Sequence, residues 1–324
     1  MDASAPADFY TGLVADLYRP LRGSDPNPDD WARLCEAIGP PALELGCGDG
    51  DPLLDLRARG LDVEGLDSSA DMLDWARNRA AAAGIDVVLH HSTIEAMELR
   101  RRYRLIFIAG PTFNLIPDDD TAWHALERIR EHLEPDGTAV IPLFVPEPTP
   151  AAVLGQPRST TTEDGSTLRF SMVSEQRDDD ARLQVSLLRY ERETAAGVEV
   201  LERPWLLHWY GQEQFRQLCE EAGLIVAGVR APAGGRPAAD ADEFVFRLHR
   251  DPAWDRPRTT RPKVGGGAVL AAGMMGLDQA IFGERPKPEI VAEAESDGLD
   301  LGDVDLDLDD PASSRIVLRD DPPT

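Results

Sequence analysis

From Asp29 to Ile38 the apolar side chains Trp31, Leu34, Cys35 and Ile38 recur at i, i+3, i+4 and i+7. That is one face of a helix, closed by Gly39-Pro40. The run PALEL behind it reads as a short buried strand, and Leu53 to Arg59 as a helix stopped by Gly60. LDVEGLD at 61–67 reads as strand two, and SADMLDWARNRAAAAG as a helix with Ser69 as N-cap and Gly84 as its stop. IDVVLHH is strand three and the apolar YRLIFIAG strand four. TAWHALERIREHLEPDG is a helix with Leu126, Ile129 and Leu133 on one face, and TAVIPLFV is strand five. Strands alternating with helices in this way predict an α/β fold, a doubly wound, mostly parallel sheet with helices on both faces.

Beyond strand five the rhythm changes. Pro142, Pro146, Pro148 and Pro150 punctuate its exit. GSTLRFSMV, ARLQVSLLRYERE and VEVLERPWLLHWY then follow with alternation and no helical stretch between them, and TAAG at 194–197 reads as a hairpin turn. The pattern predicts an antiparallel β insertion at 146–207, after which a helix, GQEQFRQLCEEAG, and two strands, LIVAGV and EFVFRLH, rejoin the sheet. The expected core is therefore 1–145 with 208–250. Residues 251–324, rich in Pro, Gly, Arg and acid, are expected to be a disordered acidic tail.

Charge and cysteine usage narrow the partners. The 324-residue chain has a net charge of −26, which argues against nucleic acid, because phosphate binding needs a basic footprint. The tail's acidity fits a solvated segment, and a basic protein is the partner it would suit. Its D-x-D-x-D run from Asp303 fails as a calcium loop, since Leu308 holds the glycine position and Ser314 the twelfth. Cys35, Cys47 and Cys219 lack pair spacing, so neither a disulfide framework nor a zinc knuckle is expected, and a reducing cytoplasm is the expected location. The start MDASAPADFY has no secretory pattern, and the apolar stretch 264–276 is too short and glycine-rich to span a bilayer. His90 and His91 are adjacent on a strand and point to opposite faces, so no metal site is expected there.

The chemistry concentrates in LELGCGDGD at 43–51, where Gly46, Gly48 and Gly50 follow the first strand. The exit of that strand is where a doubly wound sheet binds ligands, and glycine lets backbone approach a ligand without a Cβ between. A dinucleotide turn wants G-x-G-x-x-G, whereas here the spacing is G-x-G-x-G with Asp49 and Asp51 beside the last glycine. Carboxylates there disfavour a pyrophosphate and suit a cationic or zwitterionic ligand.

With Glu44 in front, ELGCGDG resembles motif I of the class I S-adenosylmethionine-dependent methyltransferases. GLDSSADML at 65–73 resembles that family's second-strand end, with an acid, a small residue and then Met-Leu. The resemblance covers roughly 9–250. It implies a seven-stranded Rossmann-like sheet, S-adenosylmethionine as cofactor, and methyl transfer by in-line displacement to a small-molecule acceptor under the insertion as a lid. By the same resemblance Glu44 holds the cofactor's amino end, and Gly46, Cys47 and Gly48 line its methionine and ribose. Asp67 takes the ribose hydroxyls, Met72 packs against the adenine, and Ser68 is the small cofactor-binding residue after the acid. The family's acid after strand three is replaced here by Thr93, with Ile94 as the apolar neighbour, and Ala109 closes strand four. Tyr10 and Tyr18 resemble aromatic residues of a lead-in helix lying over the cofactor. Phe113, Asn114, His208 and Trp209 are the candidates for the acceptor side, with His208 and Tyr210 as candidate bases. Two rivals stand beside this reading: an NAD-type oxidoreductase, and a non-catalytic cofactor-binding protein that presents its tail to a partner.

Overall fold

The computed structural model describes residues 9–22, 27–162, 164–232 and 234–254, together with two short paired strands, Asp303–Asp305 and Arg315–Val317. Apart from those strands and residues 251–254, the expected disordered tail and its partner lie outside the described residues.

Helices α1 (Leu13–Leu21) and α2 (Pro28–Ile38) lead into strand β1 (Ala42–Leu45) and helix α3 (Leu53–Ala58). Strand β2 (Val63–Asp67), helix α4 (Ala70–Ala83) and strands β3 (Leu89–His91) and β4 (Tyr103–Phe107) come next. Helix α5 (Asp119–His132) and strand β5 (Leu133–Phe144) complete the alternating half. The antiparallel strands are β6 (Arg158–Thr161), β7 (Thr167–Asp178), β8 (Leu183–Thr194) and β9 (Gly197–His208). Helix α6 (Gln212–Glu221) and strands β10 (Leu224–Arg230) and β11 (Glu243–Arg250) then return to the first sheet.

That sheet has seven strands in the order β10-β11-β5-β4-β1-β2-β3. Strands β1 to β5 run parallel, and β11 is antiparallel to both its neighbours. Every residue of β1 and β2 is buried, as strands covered on both faces must be. The helix signals act where the sequence placed them: Ser69 Oγ accepts from the Met72 amide at 3.1 Å, and Gly84 ends α4 at φ 67°.

Two boundaries differ from the periodic reading. Helix α5 stops at His132 rather than running to Gly137, because Pro135 has no amide hydrogen to continue it. A Cβ at Gly137 would also lie 2.9 Å from the Tyr103 carbonyl, so only glycine admits the close strand approach there. Strand β3 keeps only Leu89–His91 of the expected 85–91, since it is an edge strand registered on Gly65, Leu66 and Asp67.

The second sheet, in the order β6-β7-β8-β9, turns between β8 and β9 at Thr194 opposite Gly197. Its inner face has a core of its own, in which Leu168, Phe170, Met172, Leu188 and Tyr190 meet Leu13, Val14 and Leu17 of α1. Helix α1 therefore belongs to the antiparallel sheet by its apolar stripe. Among the described residues no helix is long and apolar enough to cross a membrane.

Candidate active site

The three glycines of the first turn have φ values of 70°, 50° and 98° at Gly46, Gly48 and Gly50, a region that side chains other than glycine rarely adopt. Two of them are also pressed from outside. A Cβ on Gly46 would stand 2.7 Å from Thr112 Cγ2, and one on Gly50 would stand 2.8 Å from Leu54 Cγ. The Gly46 and Cys47 amides donate to the Leu66 carbonyl at 2.8 and 3.1 Å, which fastens the turn to the end of β2.

Glu44 is wholly buried, and neither carboxylate oxygen has a hydrogen-bond partner. Burial, and behind it the charges of Asp51, Asp67 and Asp49, push its pKa well above the ordinary range. An unpaired acid in a dry interior is costly unless a cation or a donor joins it. Asp67, at the end of β2, is placed differently. Its Oδ2 accepts from the Gly48 amide and its Oδ1 from the Ser69 amide, both at 2.8 Å. Burial raises the Asp67 pKa, while those two amides oppose the rise. Each oxygen keeps a second lone pair for a ligand hydroxyl.

Asp49 and Asp51 behave unlike the sequence-based expectation. They face arginines of this chain rather than a ligand. Arg19 reaches Asp49 and Asp51 at 3.0 and 2.7 Å, and Arg79 reaches them at 3.0 and 2.6 Å. Arg22 pairs with Asp51 as well and lies 3.6 Å from Asp49. Their charge is thus met internally. Arg19 and Arg22 sit three residues apart at the end of α1, a spacing that could have flagged them. Nothing in sequence marked Arg79 on α4 as the third partner.

Of the N-terminal aromatics, Tyr10 packs beside the start of α4 with Tyr18 against it. Tyr10 and Tyr18 meet edge to face at 5.5 Å, and the Tyr10 carbonyl accepts from Ser69 Oγ at 2.6 Å. Burial, then the charges of Tyr18, Tyr190 and Asp67, push the Tyr10 phenol well up, so it stands in the field of the site. Met72 is buried, with its Cε packed over Gly48. Ser68 gives its carbonyl to His91 Nε2 at 3.0 Å, and the neighbouring Ser92 amide donates to the Asp67 carbonyl at 3.0 Å. Thr93 and Ile94 follow directly, Thr93 half-buried and Ile94 in the main core. Ala109 is partly exposed just past β4. Cys47 is buried, and burial raises its thiol pKa well above the ordinary value, so it packs rather than reacts.

The acceptor-side candidates are less open. Phe113 is wholly buried among Tyr210 and Phe215. Asn114 is wholly buried too. Its Nδ2 donates to the carbonyls of Phe144 and His208 at 2.9 and 3.1 Å, and its Oδ1 accepts from the Phe144 amide at 3.2 Å. Packing accounts for both. Trp209 is buried beneath the Arg177 guanidinium at 4.2 Å. His208 Nδ1 and the Tyr210 hydroxyl are 3.0 Å apart in the interior. Burial, then Arg182, push the His208 imidazole down to about 4, whereas burial and Asp119 push the Tyr210 phenol well up. Neither group is tuned to exchange a proton near pH 7.

Residues 42–137 match the family model described as a methyltransferase domain. The dTDP-3-amino-3,6-dideoxy-alpha-D-glucopyranose N,N-dimethyltransferase of Streptomyces fradiae is 30% identical over 243 residues, 72% of this chain and 92% of the relative. The chain belongs to the class I S-adenosylmethionine-dependent methyltransferases. A second relative, the dTDP-3-amino-3,4,6-trideoxy-alpha-D-glucopyranose N,N-dimethyltransferase of Streptomyces venezuelae, is 25% identical over 229 residues, 69% of this chain and 93% of its own. Solved structures share the fold. The CcbJ methyltransferase from Streptomyces caelestis superposes with a TM-score of 0.60 at 24% identity, over 74% of this chain and 97% of that one. S-adenosylmethionine-bound CalS10, an amino pentose methyltransferase from Micromonospora echinaspora, gives 0.54 at 22%, over 74% and 98%. S-adenosylmethionine is the methyltransferase's cofactor. The turn suits it: an unpartnered buried carboxylate stands ready for a cationic amino group, beside backbone that no Cβ shields.

Proposed function

We propose that the methyltransferase acts on the amino group of a deoxyamino sugar. The named relatives methylate such amines, and the antiparallel sheet packs on α1 and on Phe144 at the end of β5, as a cover over an acceptor would. One observation carries the cofactor half: Glu44, buried and without a partner, at the exit of β1. In this reading Glu44 binds the amino end, Gly46, Cys47 and Gly48 let the methionine and ribose lie against backbone, and Asp67 receives the ribose hydroxyls. Ser68, Met72, Thr93 and Ile94 flank the adenine, Ala109 lies beside the sulfonium, and Tyr10 and Tyr18 cover the site from α1.

The bound cofactor supplies a methyl group already activated by its sulfonium, so the protein's work is alignment and exclusion of water. Held by Glu44, the glycine turn and Asp67, the cofactor would supply the methyl group for a new C–N bond and keep the electrons of its own C–S bond. His208 and Tyr210 are poor bases at neutral pH, so neither is assigned the acceptor nitrogen's proton. Three buried, unpaired thiols, Cys35, Cys47 and Cys219, are consistent with a reducing cytoplasm.

Calorimetry with S-adenosylhomocysteine and with NADPH tests the cofactor half. Tight binding of the first and none of the second is expected, and the reverse would return the oxidoreductase reading. Mass spectrometry of dTDP-3-amino-3,6-dideoxyglucose and its methyl glycoside after turnover tests the acceptor half. A gain of one or two methyl groups is expected on at least one of them.

A further inference from the structure

Two further places leave polar side chains unmet among the described residues. One is a cleft between the two sheets, where Glu147 and Asp242 face Gln184, Trp205 and Leu207 of the antiparallel sheet. Beneath it the Trp205 indole N–H and the Ser186 hydroxyl are buried without partners, on residues paired directly across β8 and β9. None of the glycine turn's residues lines that cleft, so it is not where an acceptor meets the methyl group. The other place is Thr112, which touches the turn itself.

After β4 the chain reads GPTFNL, and Pro111, whose ring fixes φ, opens a single-turn 3₁₀ helix over Pro111–Leu115. Three consecutive side chains of that turn go three ways. Phe113 enters the core beside Tyr210 and Phe215. Asn114 is tied to Phe144 and to the His208 carbonyl. Thr112 is turned against Gly46, with Cγ2 and Oγ1 at 2.7 and 3.1 Å from where a Cβ on that glycine would stand. Its neighbours are anchored, so Thr112 is held over the turn by their packing. Thr112 is half-buried, and its hydroxyl makes no hydrogen bond among the described residues. The other acceptor-side candidates have no polar atom to spare at the turn: Asn114 is spent on backbone, and His208 and Tyr210 face each other in the interior.

We propose that Thr112 Oγ1 accepts an N–H of the acceptor amine and so keeps the nitrogen's lone pair aimed at the methyl group. The assignment rests on the amino-sugar reading above, in which the cofactor's methionine lies along Gly46, and it names the residue that recognises the amine. A free amine offers N–H donors and one lone pair, and a hydroxyl oxygen that takes an N–H leaves the lone pair open. On transfer the nitrogen gains the methyl group and keeps its hydrogens as an ammonium, the C–S electron pair stays on sulfur, and Thr112 neither gains nor loses a proton. Once the nitrogen carries two methyl groups its free base has no N–H left. Thr112 therefore separates an amine that can still be methylated from the finished dimethylamine.

Calorimetry on the full chain saturated with S-adenosylhomocysteine tests this, at a pH above the titration of the amine so that the free base binds. The probes are dTDP-3-amino-3,6-dideoxyglucose and its methyl glycoside, each compared with its 3-dimethylamino counterpart. The amine should bind about tenfold more tightly than the dimethylamine. Thr112→Val keeps a methyl group on Gly46 and deletes the hydroxyl. It should lower that preference about tenfold and leave the S-adenosylhomocysteine affinity unchanged, which also reports that the variant is folded. Thr112→Ser, which keeps the hydroxyl, should keep the preference. Equal binding of amine and dimethylamine by the wild-type chain overturns the proposal. So does a Thr112→Val variant that retains the preference, or one that loses S-adenosylhomocysteine affinity as well. A wild-type complex that binds none of the sugars would sink the amino-sugar reading and this assignment with it, whereas failure to bind S-adenosylhomocysteine would defeat the cofactor half of the proposed function.

Discussion

The exit of β1 and the cleft between the sheets both hold several acids, yet their chemistry is opposite. At the turn, Asp49 and Asp51 are matched by Arg19, Arg22 and Arg79, which leaves Glu44 as a lone acceptor in a dry interior. In the cleft, Glu147 and Asp242 are exposed at the rim, and the unmet groups beneath are a hydroxyl and an indole N–H. A carboxylate's presence therefore says little until its partners are known. What distinguishes the two regions is the polarity of what each leaves unsatisfied, acceptors at the turn and donors beneath the antiparallel sheet.

The contrast breaks most sharply at Asp67. Asp67→Ala removes an acceptor for two backbone amides and, by the proposed role, for two ribose hydroxyls. The dissociation constant for S-adenosylhomocysteine should rise about 100-fold, roughly 2.7 kcal/mol. An unchanged value in calorimetry would refute the assignment at the turn. Asn114→Leu should leave that constant within about twofold but cost about 2.5 kcal/mol of stability in urea, since it strands two buried carbonyls. A loss of cofactor or acceptor affinity at unchanged stability would instead make Asn114 part of the site.

His208 gives a pH-dependent test. Its imidazole falls from the ordinary 6.5 to about 4 in the folded chain, so the unfolded chain binds the proton first as pH drops. Its share of stability is complete above about pH 6.5 and is lost between there and about pH 4, amounting to about 2 kcal/mol by pH 5. His208→Gln should flatten that part of the denaturation profile, and a profile identical to wild type would contradict the buried neutral state. The smallest effect belongs to Arg19→Gln. Arg19 is 46% exposed and Arg22 and Arg79 remain on the same acids, so the cost should be about 0.5 kcal/mol or less.

The alternating half of the molecule was legible because its signals are local. Buried strand runs, the Ser69 cap, the Gly84 stop and the three glycines each act within a few residues. The antiparallel strands were legible as strands for the same reason, through their alternation and the turn at 194–197. What escaped was the pairing of distant groups. Asn114 looked like a turn residue at a binding edge, whereas its amide serves carbonyls 30 and 94 residues further along. Arg79 meets Asp49 across 30 residues. Trp205 stood out in sequence only as one more aromatic in a strand, since its orphaned N–H exists only once β8 lies beside it.

Helix α1 grips both layers at once, with Leu13, Val14 and Leu17 on the antiparallel sheet and Arg19 on the acids of the glycine turn. Anyone trimming this polypeptide for expression should heed that. A fragment cut to the matched segment 42–137 would keep the glycine turn and lose its clasp. One that merely dropped the first 27 residues would turn Leu168, Phe170 and Leu188 toward water, an invitation to inclusion bodies.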